Sequence, residues 1–172
     1  MSRLVLDVPD YPQRGVMFKD ITPLLADHAA FTAVIGALAH AGRDAGGEVV
    51  VDKVVGMEAR GFMLAAPVAL ALGVGFVPVR KAGKLPRETH AVSYSLEYGE
   101  ATLELHRDAI APGERVLLID DVLATGGTIT ATRRLVEACG ATCVGVAVLM
   151  EVSVLDGRAT VGDLPLNAIT TV

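Results

Sequence analysis

The segment Val116-Leu117-Leu118-Ile119-Asp120-Asp121-Val122-Leu123-Ala124-Thr125-Gly126-Gly127-Thr128 sets two adjacent carboxylates against an apolar run, with a loop of small residues just beyond. Neighbouring acids raise each other's pKa unless a ligand or cation uses them. Gly126 and Gly127 at the start of a helix let backbone N–H groups turn inward as a nest, backed by the positive end of the helix, which suits a phosphate monoester. The hydroxyls of Thr125 and Thr128 add hydrogen-bond donors. No Lys follows the glycines, so this is not G-x-x-x-x-G-K-[ST], and it is not G-x-G-x-x-G either. Two acids that grip a pair of hydroxyls, next to a nest that grips a phosphate, fit a ribose 5-phosphate. The plainer alternative is a strand end followed by a flexible loop and a Thr N-cap.

Such a ligand needs cations, and the chain as a whole is acidic: 15 Lys plus Arg against 20 Asp plus Glu give a formal charge of −5. Positive charge is supplied locally. Arg80, Lys81, Lys84 and Arg87 put four cations into eight residues, and Arg60 follows an earlier apolar run. Arg forks onto phosphate oxygens and Lys acts as a point charge; the competing reading of 80–87 is a solvated surface loop. The seven aromatics are few. Phe31, Phe62 and Phe76 lie in apolar runs and read as core, whereas Phe18 sits in an irregular, polar stretch and is either a stacking surface or a core residue. The four histidines show no ligand spacing, and Cys139 and Cys143 read as packing residues.

These groups need a scaffold. The 172 residues match one α/β domain, and an apolar content of 52% is enough to fill a core. The negative balance disfavours binding to nucleic acid or an anionic membrane. Two cysteines are too few for a disulfide framework, and residues 1–12 carry no apolar leader, so a cytoplasmic location is expected. The uncharged stretch 61–79 approaches the length of a membrane helix, but Pro67, Gly73, Gly75 and Pro78 divide it into a helix over 62–72 and a strand over 76–79.

Asp27 is placed to cap a helix with an apolar stripe at Phe31, Val34, Ile35 and Leu38. Val49–Val51 and Val54–Val55 read as one buried strand ending near Gly56-Met57. Residues 89–106 alternate about Gly99-Glu100 as a half-exposed hairpin. Residues 116–119 and 144–149 are further apolar strands, with a helix over 128–138 between them. Apolar rather than alternating central strands imply an α/β fold: a central, mostly parallel sheet with helices on both faces. In such sheets ligands sit beyond the carboxyl ends of the strands, where 58–61, 80–87 and 120–128 fall.

The acid pair and its loop resemble the phosphoribosyl pyrophosphate motif of the type I phosphoribosyltransferases. Gly15-Val16-Met17-Phe18-Lys19-Asp20-Ile21-Thr22-Pro23, Glu58-Ala59-Arg60-Gly61-Phe62, Arg80-Lys81-Ala82-Gly83-Lys84-Leu85-Pro86 and Tyr94-Ser95-Leu96-Glu97-Tyr98-Gly99 resemble the adenine-specific branch of that family. The likeness runs from about Pro9 to Arg158 and implies a single domain over 1–172, with a small N-terminal hood over about 1–25 and a flexible hairpin over about 84–106.

The resemblance implies that adenine and phosphoribosyl pyrophosphate (PRPP) give AMP and pyrophosphate in purine salvage, with inversion at the anomeric carbon. It makes Phe18 and Val152 the two walls of the purine site, with the backbone of Met17 and Lys19 reading the base edge. The Glu58, Ala59 and Arg60 loop wraps the pyrophosphate, aided by Lys81, Lys84 and Arg87. Asp120 and Asp121 hold the ribose, and Ala124, Thr125, Gly126, Gly127 and Thr128 hold the 5-phosphate. Glu97 and Tyr98 lie over the reacting bond, and the catalytic set is Glu97, Arg60, Asp120 and Asp121. Mg²⁺ enters held mainly through PRPP, so no protein metal ligand is expected, and residues 84–98 close over the site to exclude water. A homodimer is expected from the family, without nucleic-acid or membrane partners. Two alternatives remain open: the same chemistry on another purine, and a nucleotide-sensing regulator without catalysis. No base contacts are assigned within 159–172.

Overall fold

The computed structural model describes residues 2–95 and 100–172. A two-stranded antiparallel sheet, β1 (Leu6–Pro9) with β2 (Met17–Asp20), precedes the helices α1 (Thr22–Ala26) and α2 (His28–Ala39). Asp27 caps α2 as expected: its side chain accepts from the Ala30 N–H at 2.8 Å. There follow β3 (Lys53–Met57), α3 (Arg60–Leu72), β4 (Gly75–Lys81), the hairpin strands β5 (Thr89–Ser95) and β6 (Glu100–His106), and β7 (Arg115–Leu123). Next come α4 (Gly127–Ala138), β8 (Thr142–Glu151), a short α5 (Gly157–Val161) and β9 (Leu166–Thr171).

The strand order is β5-β6-β4-β3-β7-β8-β9. β4, β3, β7, β8 and β9 run parallel, and β6 is antiparallel to both β4 and β5. Alternation along β7 divides the core. Leu117 and Ile119 pack with Leu38, Leu64 and Val68 of α2 and α3, while Val116 and Leu118 pack with Ile129 and Leu135 of α4 on the opposite face. Because both faces are covered, the central strands are apolar throughout, the property that made them legible. The uncharged stretch 61–79 is α3, a left-handed Gly73 cap (φ 71°) and β4, as expected. Among the described residues, no helix is long and apolar enough to cross a membrane.

Two boundaries differ from expectation. Val49–Val51 do not join β3: Val50 N–H donates to Gly42 O at 2.9 Å and Val49 bridges Arg43, so this segment folds back on the preceding turn. The acid pair also does not terminate its strand. β7 continues through Asp120 and Asp121 to Leu123, paired with β8 as far as Leu123↔Glu151. On its other side, pairing with β3 stops at Gly56↔Ile119. The two acids therefore sit where β7 has lost one neighbour, and that one-sided gap opens the crevice at the carboxyl end of the sheet.

Candidate functional site

The β3–α3 connection enters this crevice first. Only Glu58 and Ala59, joined by a cis peptide, separate strand from helix, so Arg60 stands at the helix start directly above the sheet. Arg60 gathers three expected site elements. Its Nη2 lies 2.7 Å from Asp121 Oδ2, its Nη1 donates to Lys19 O at 3.1 Å, and its guanidinium covers the Phe18 ring at 4.7 Å. Tyr11 meets Phe18 edge-on at 5.0 Å. Phe18 is half-buried and Met17 exposed, so this aromatic is a surface platform and not a core residue.

Asp120 and Asp121 occupy different environments. The Asp120 side chain packs under α3, where a Cβ on Gly61 would lie 2.7 Å from Oδ1. Its Oδ1 also accepts the Asp121 N–H at 2.9 Å. Burial, reinforced by the charge of Asp121, pushes the Asp120 carboxyl well above the ordinary carboxylate range. Asp121 is 6% exposed, and its Oδ2 has the Arg60 charge beside it but no well-aligned hydrogen-bond donor. A buried carboxylate oxygen with spare acceptor capacity is suited to a donor from outside the protein, such as a sugar hydroxyl.

Next to the acids, residues 122–129 line a small, open concavity. Gly126 has φ +83° and precedes α4 directly, a backbone state open to Gly without strain. A Cβ there would also lie 2.7 Å from Gly157 O and 2.9 Å from Thr160 Cβ. Ala124, Thr125, Gly126, Gly127 and Thr128 thus form the expected loop at a helix N-terminus, with α5 packed against its outer side. Thr128 Oγ1 is 3.1 Å from Tyr94 Oη of β5, a contact that brings the hairpin to the start of α4.

The cationic segment divides. Glu58 is its organiser: its carboxylate bonds Lys84 Nζ, accepts the Lys81 N–H at 3.0 Å and lies 3.4 Å from Arg80 Nε. Burial alone would raise the Glu58 carboxyl, but the Lys84 bond, the Lys81 amide and the charges of Lys84 and Arg80 together hold it below its ordinary value. The side chain of Glu58 therefore gathers cations, leaving the 58–61 backbone for an anion. Arg87 turns elsewhere: it pairs with Asp108 and reaches His106 Nδ1 at 3.4 Å. Val152 follows β8, and its N–H donates to Leu123 O at 2.9 Å, so it flanks the far end of the acid strand. Glu97 and Tyr98 lie outside the described residues.

Spacing assigns no role to two contributors. Tyr94 opens the 94–99 motif, yet its contact with the loop threonine is a tertiary one. Gly157 fits so closely behind the loop that a Cβ would collide with Ala124 O; its signal was a Gly after Asp156, itself left-handed at φ 48°. Among the described residues, no group of three or more His, Cys, Asp or Glu side chains is placed to hold a metal ion.

A parallel sheet with an acid pair, an amide nest and an Arg-bearing loop at its carboxyl edge defines a class of sugar-phosphate transferases. The chain belongs to the phosphoribosyltransferases, whose phosphoribosyl transferase domain family matches residues 21–162. It is 69% identical over 169 residues to the adenine phosphoribosyltransferase of a Nocardioides species, covering 98% of this chain and 91% of that one. The crystal structure of adenine phosphoribosyltransferase from Thermoanaerobacter pseudethanolicus superposes with a TM-score of 0.93 at 45% identity, covering 99% and 97% of the two chains. That of the Saccharomyces cerevisiae enzyme, complexed with an imino-altritol bisphosphate and adenine, gives 0.91 at 38% identity, covering 98% and 95%.

Proposed function

We infer that the chain transfers the 5-phosphoribosyl group of PRPP to adenine, releasing pyrophosphate and giving AMP, the purine-salvage reaction. The observation that carries this reading is the juxtaposition at one sheet edge of Arg60, the Asp120–Asp121 pair and the nest of residues 124–128. Its specific form, with adenine as acceptor, is supported by relatives that carry that activity in their names over nearly the whole chain.

In the reaction, a bond forms from a purine ring nitrogen to the anomeric carbon as the bond to pyrophosphate breaks, and the nitrogen's proton is lost. The ribose becomes cation-like as a polyanionic group leaves. Asp120 and Asp121, through the ribose hydroxyls, favour positive charge on the sugar, and the amides of 124–128 with Thr125 and Thr128 hold the 5-phosphate. The 58–60 backbone, Arg60, Lys81 and Lys84 receive the pyrophosphate. Phe18 and Val152 enclose the base, whose edge is read by the Met17 and Lys19 backbone. Glu97, with Tyr98 beside it, handles the proton. Mg²⁺ would arrive with PRPP as part of the substrate, and its charge would offset that of the departing pyrophosphate. Asp121 Oδ2, paired with the Arg60 charge but lacking an aligned hydrogen-bond donor, fits a hydroxyl of the substrate.

Residues 1–25 form a hood that carries the base wall, and 84–98 cover the site during transfer. The protein works as a homodimer in the cytoplasm, with an Arg or Lys of one subunit near its neighbour's site, and Arg87, held here by Asp108, adds a cation to its own site. The test is pyrophosphate release over a panel of nucleobases with and without Mg²⁺: release with adenine, Mg²⁺ and PRPP supports the assignment, and release with guanine or hypoxanthine alone replaces adenine as substrate.

A further inference from the structure

Behind the phosphate loop lies an ion pair that the reaction does not use. Glu151 ends β8, is 8% exposed, and receives Arg158 Nε between its two oxygens at 2.8 and 2.9 Å. Arg158 Nη1 also donates to Leu166 O at 3.1 Å, tying the pair to β9. Glu151 is buried but the Arg158 side chain is about half exposed, and such a solvent-screened pair adds little stability. A carboxylate here is therefore better explained by what it aligns.

The pair closes a strap over residues 152–157. At one end of the strap, the Val152 N–H bonds Leu123 O. Near the other end, Gly157 lies against Ala124 O and Leu123, and Gly157 O in turn lies against Gly126. The strap therefore connects the purine wall to the outer side of the phosphate nest. Val172, just after β9, anchors it, donating to Glu151 O at 2.8 Å and accepting from the Ser153 N–H at 3.0 Å.

We propose that the Glu151–Arg158 pair is a positioning clamp that fixes the distance between Val152 and the 123–126 backbone, so that base and 5-phosphate are bound in register. The clamp rests on the proposed AMP-forming site. It acts through Val152 and Gly157 and touches no substrate.

The test compares the affinities of AMP and ribose 5-phosphate, measured by calorimetry on the intact protein. Ribose 5-phosphate occupies the nest alone, whereas AMP spans nest and purine wall. In Arg158→Gln, the advantage of AMP over ribose 5-phosphate falls by about tenfold or more, the size of a lost coupling between contacting groups. Arg158→Lys recovers much of it. Should Arg158→Gln fail to fold with Glu151 unpaired, the double variant Glu151→Met, Arg158→Met keeps apolar packing and is expected to lose the same advantage while melting near the wild type. A purely structural role would leave the ratio unchanged in any folded variant, and that result overturns the clamp. A wild-type protein that prefers AMP no more than ribose 5-phosphate overturns the purine site itself, and the clamp with it.

Discussion

Arg60 Nη2 and Asp121 Oδ2 stand 2.7 Å apart across the crevice, joining the start of α3 to the acid strand. The same guanidinium covers Phe18 and bonds Lys19 O, so one side chain touches Asp121, the ring proposed as the purine platform and the backbone proposed to read the base. A planar fork can meet several partners at once, which the point charge of Lys cannot do. Arg60→Lys is expected to lower kcat/KM by about a hundredfold, roughly 2.7 kcal/mol, with weaker binding of both substrates. Steady-state kinetics varying each substrate would decide it; a change confined to the PRPP KM would reduce Arg60 to a simple anion contact.

Asp120 carries a pH-dependent cost in stability. Asp120 has its folded pKa raised above the unfolded value, so its favourable contribution is complete below the unfolded pKa and is lost as pH rises through the folded pKa. Wherever the folded carboxyl is ionised, its buried charge works against the fold. Asp120→Asn is expected to raise Tm at about pH 8 by a few degrees, the effect of about 1 kcal/mol in a domain of this length. Asn retains an oxygen for the Asp121 N–H. The gain should shrink as pH falls and the wild-type carboxyl takes up its proton. The double variant Asp120→Asn, Asp121→Asn should stay folded and lose at least about a hundredfold in turnover. Calorimetric melting beside kinetics separates the two effects, and a double variant of near-normal turnover would remove the acids from the mechanism.

Gly126 has both a positive φ and a neighbour that would crowd its Cβ, Gly157 O at 2.7 Å. Gly126→Ala is expected to cost about 1–3 kcal/mol and to weaken ribose 5-phosphate binding more than adenine binding, because the strain falls on the amides of the nest. Denaturant melts and separate ligand titrations measure each part. Equal losses for both ligands would show general unfolding instead of local distortion of the cradle.

The acid pair, the nest and α2 were legible because each depends on local spacing: adjacent carboxylates, glycines at a helix start, an Asp cap before an apolar stripe. The extension of β7 to Leu123 was not, since whether Asp120 and Asp121 end a strand depends on where β3 stops and β8 continues, far away in sequence. Nor could spacing decide which cations among residues 80–87 face the crevice. Glu58 draws in Lys84, while Asp108 and His106 hold Arg87. The strap after β8 was hidden for the same reason, because Arg158 acquires meaning only once Glu151 and Gly157 are set in space.

Glu58 should respond to pH with the opposite sign to Asp120. Its folded pKa is depressed, so its stabilising contribution is present above the unfolded pKa and is lost as pH falls through the folded pKa. Glu58→Gln keeps an oxygen for the Lys81 N–H but gives up the Lys84 and Arg80 charges. The variant should melt below the wild type at neutral pH, and the difference should close on acidification. Lys84, freed from its carboxylate partner, becomes more available to pyrophosphate but is less well placed. With the tether gone, the ordering cost falls on substrate binding, so the PRPP KM is expected to rise severalfold while kcat changes little. Melting curves across pH, together with PRPP saturation curves, test both halves. A lower KM would show that Glu58 competes with the pyrophosphate for Lys84, and a melting difference that persists in acid would remove the carboxylate's charge as its cause.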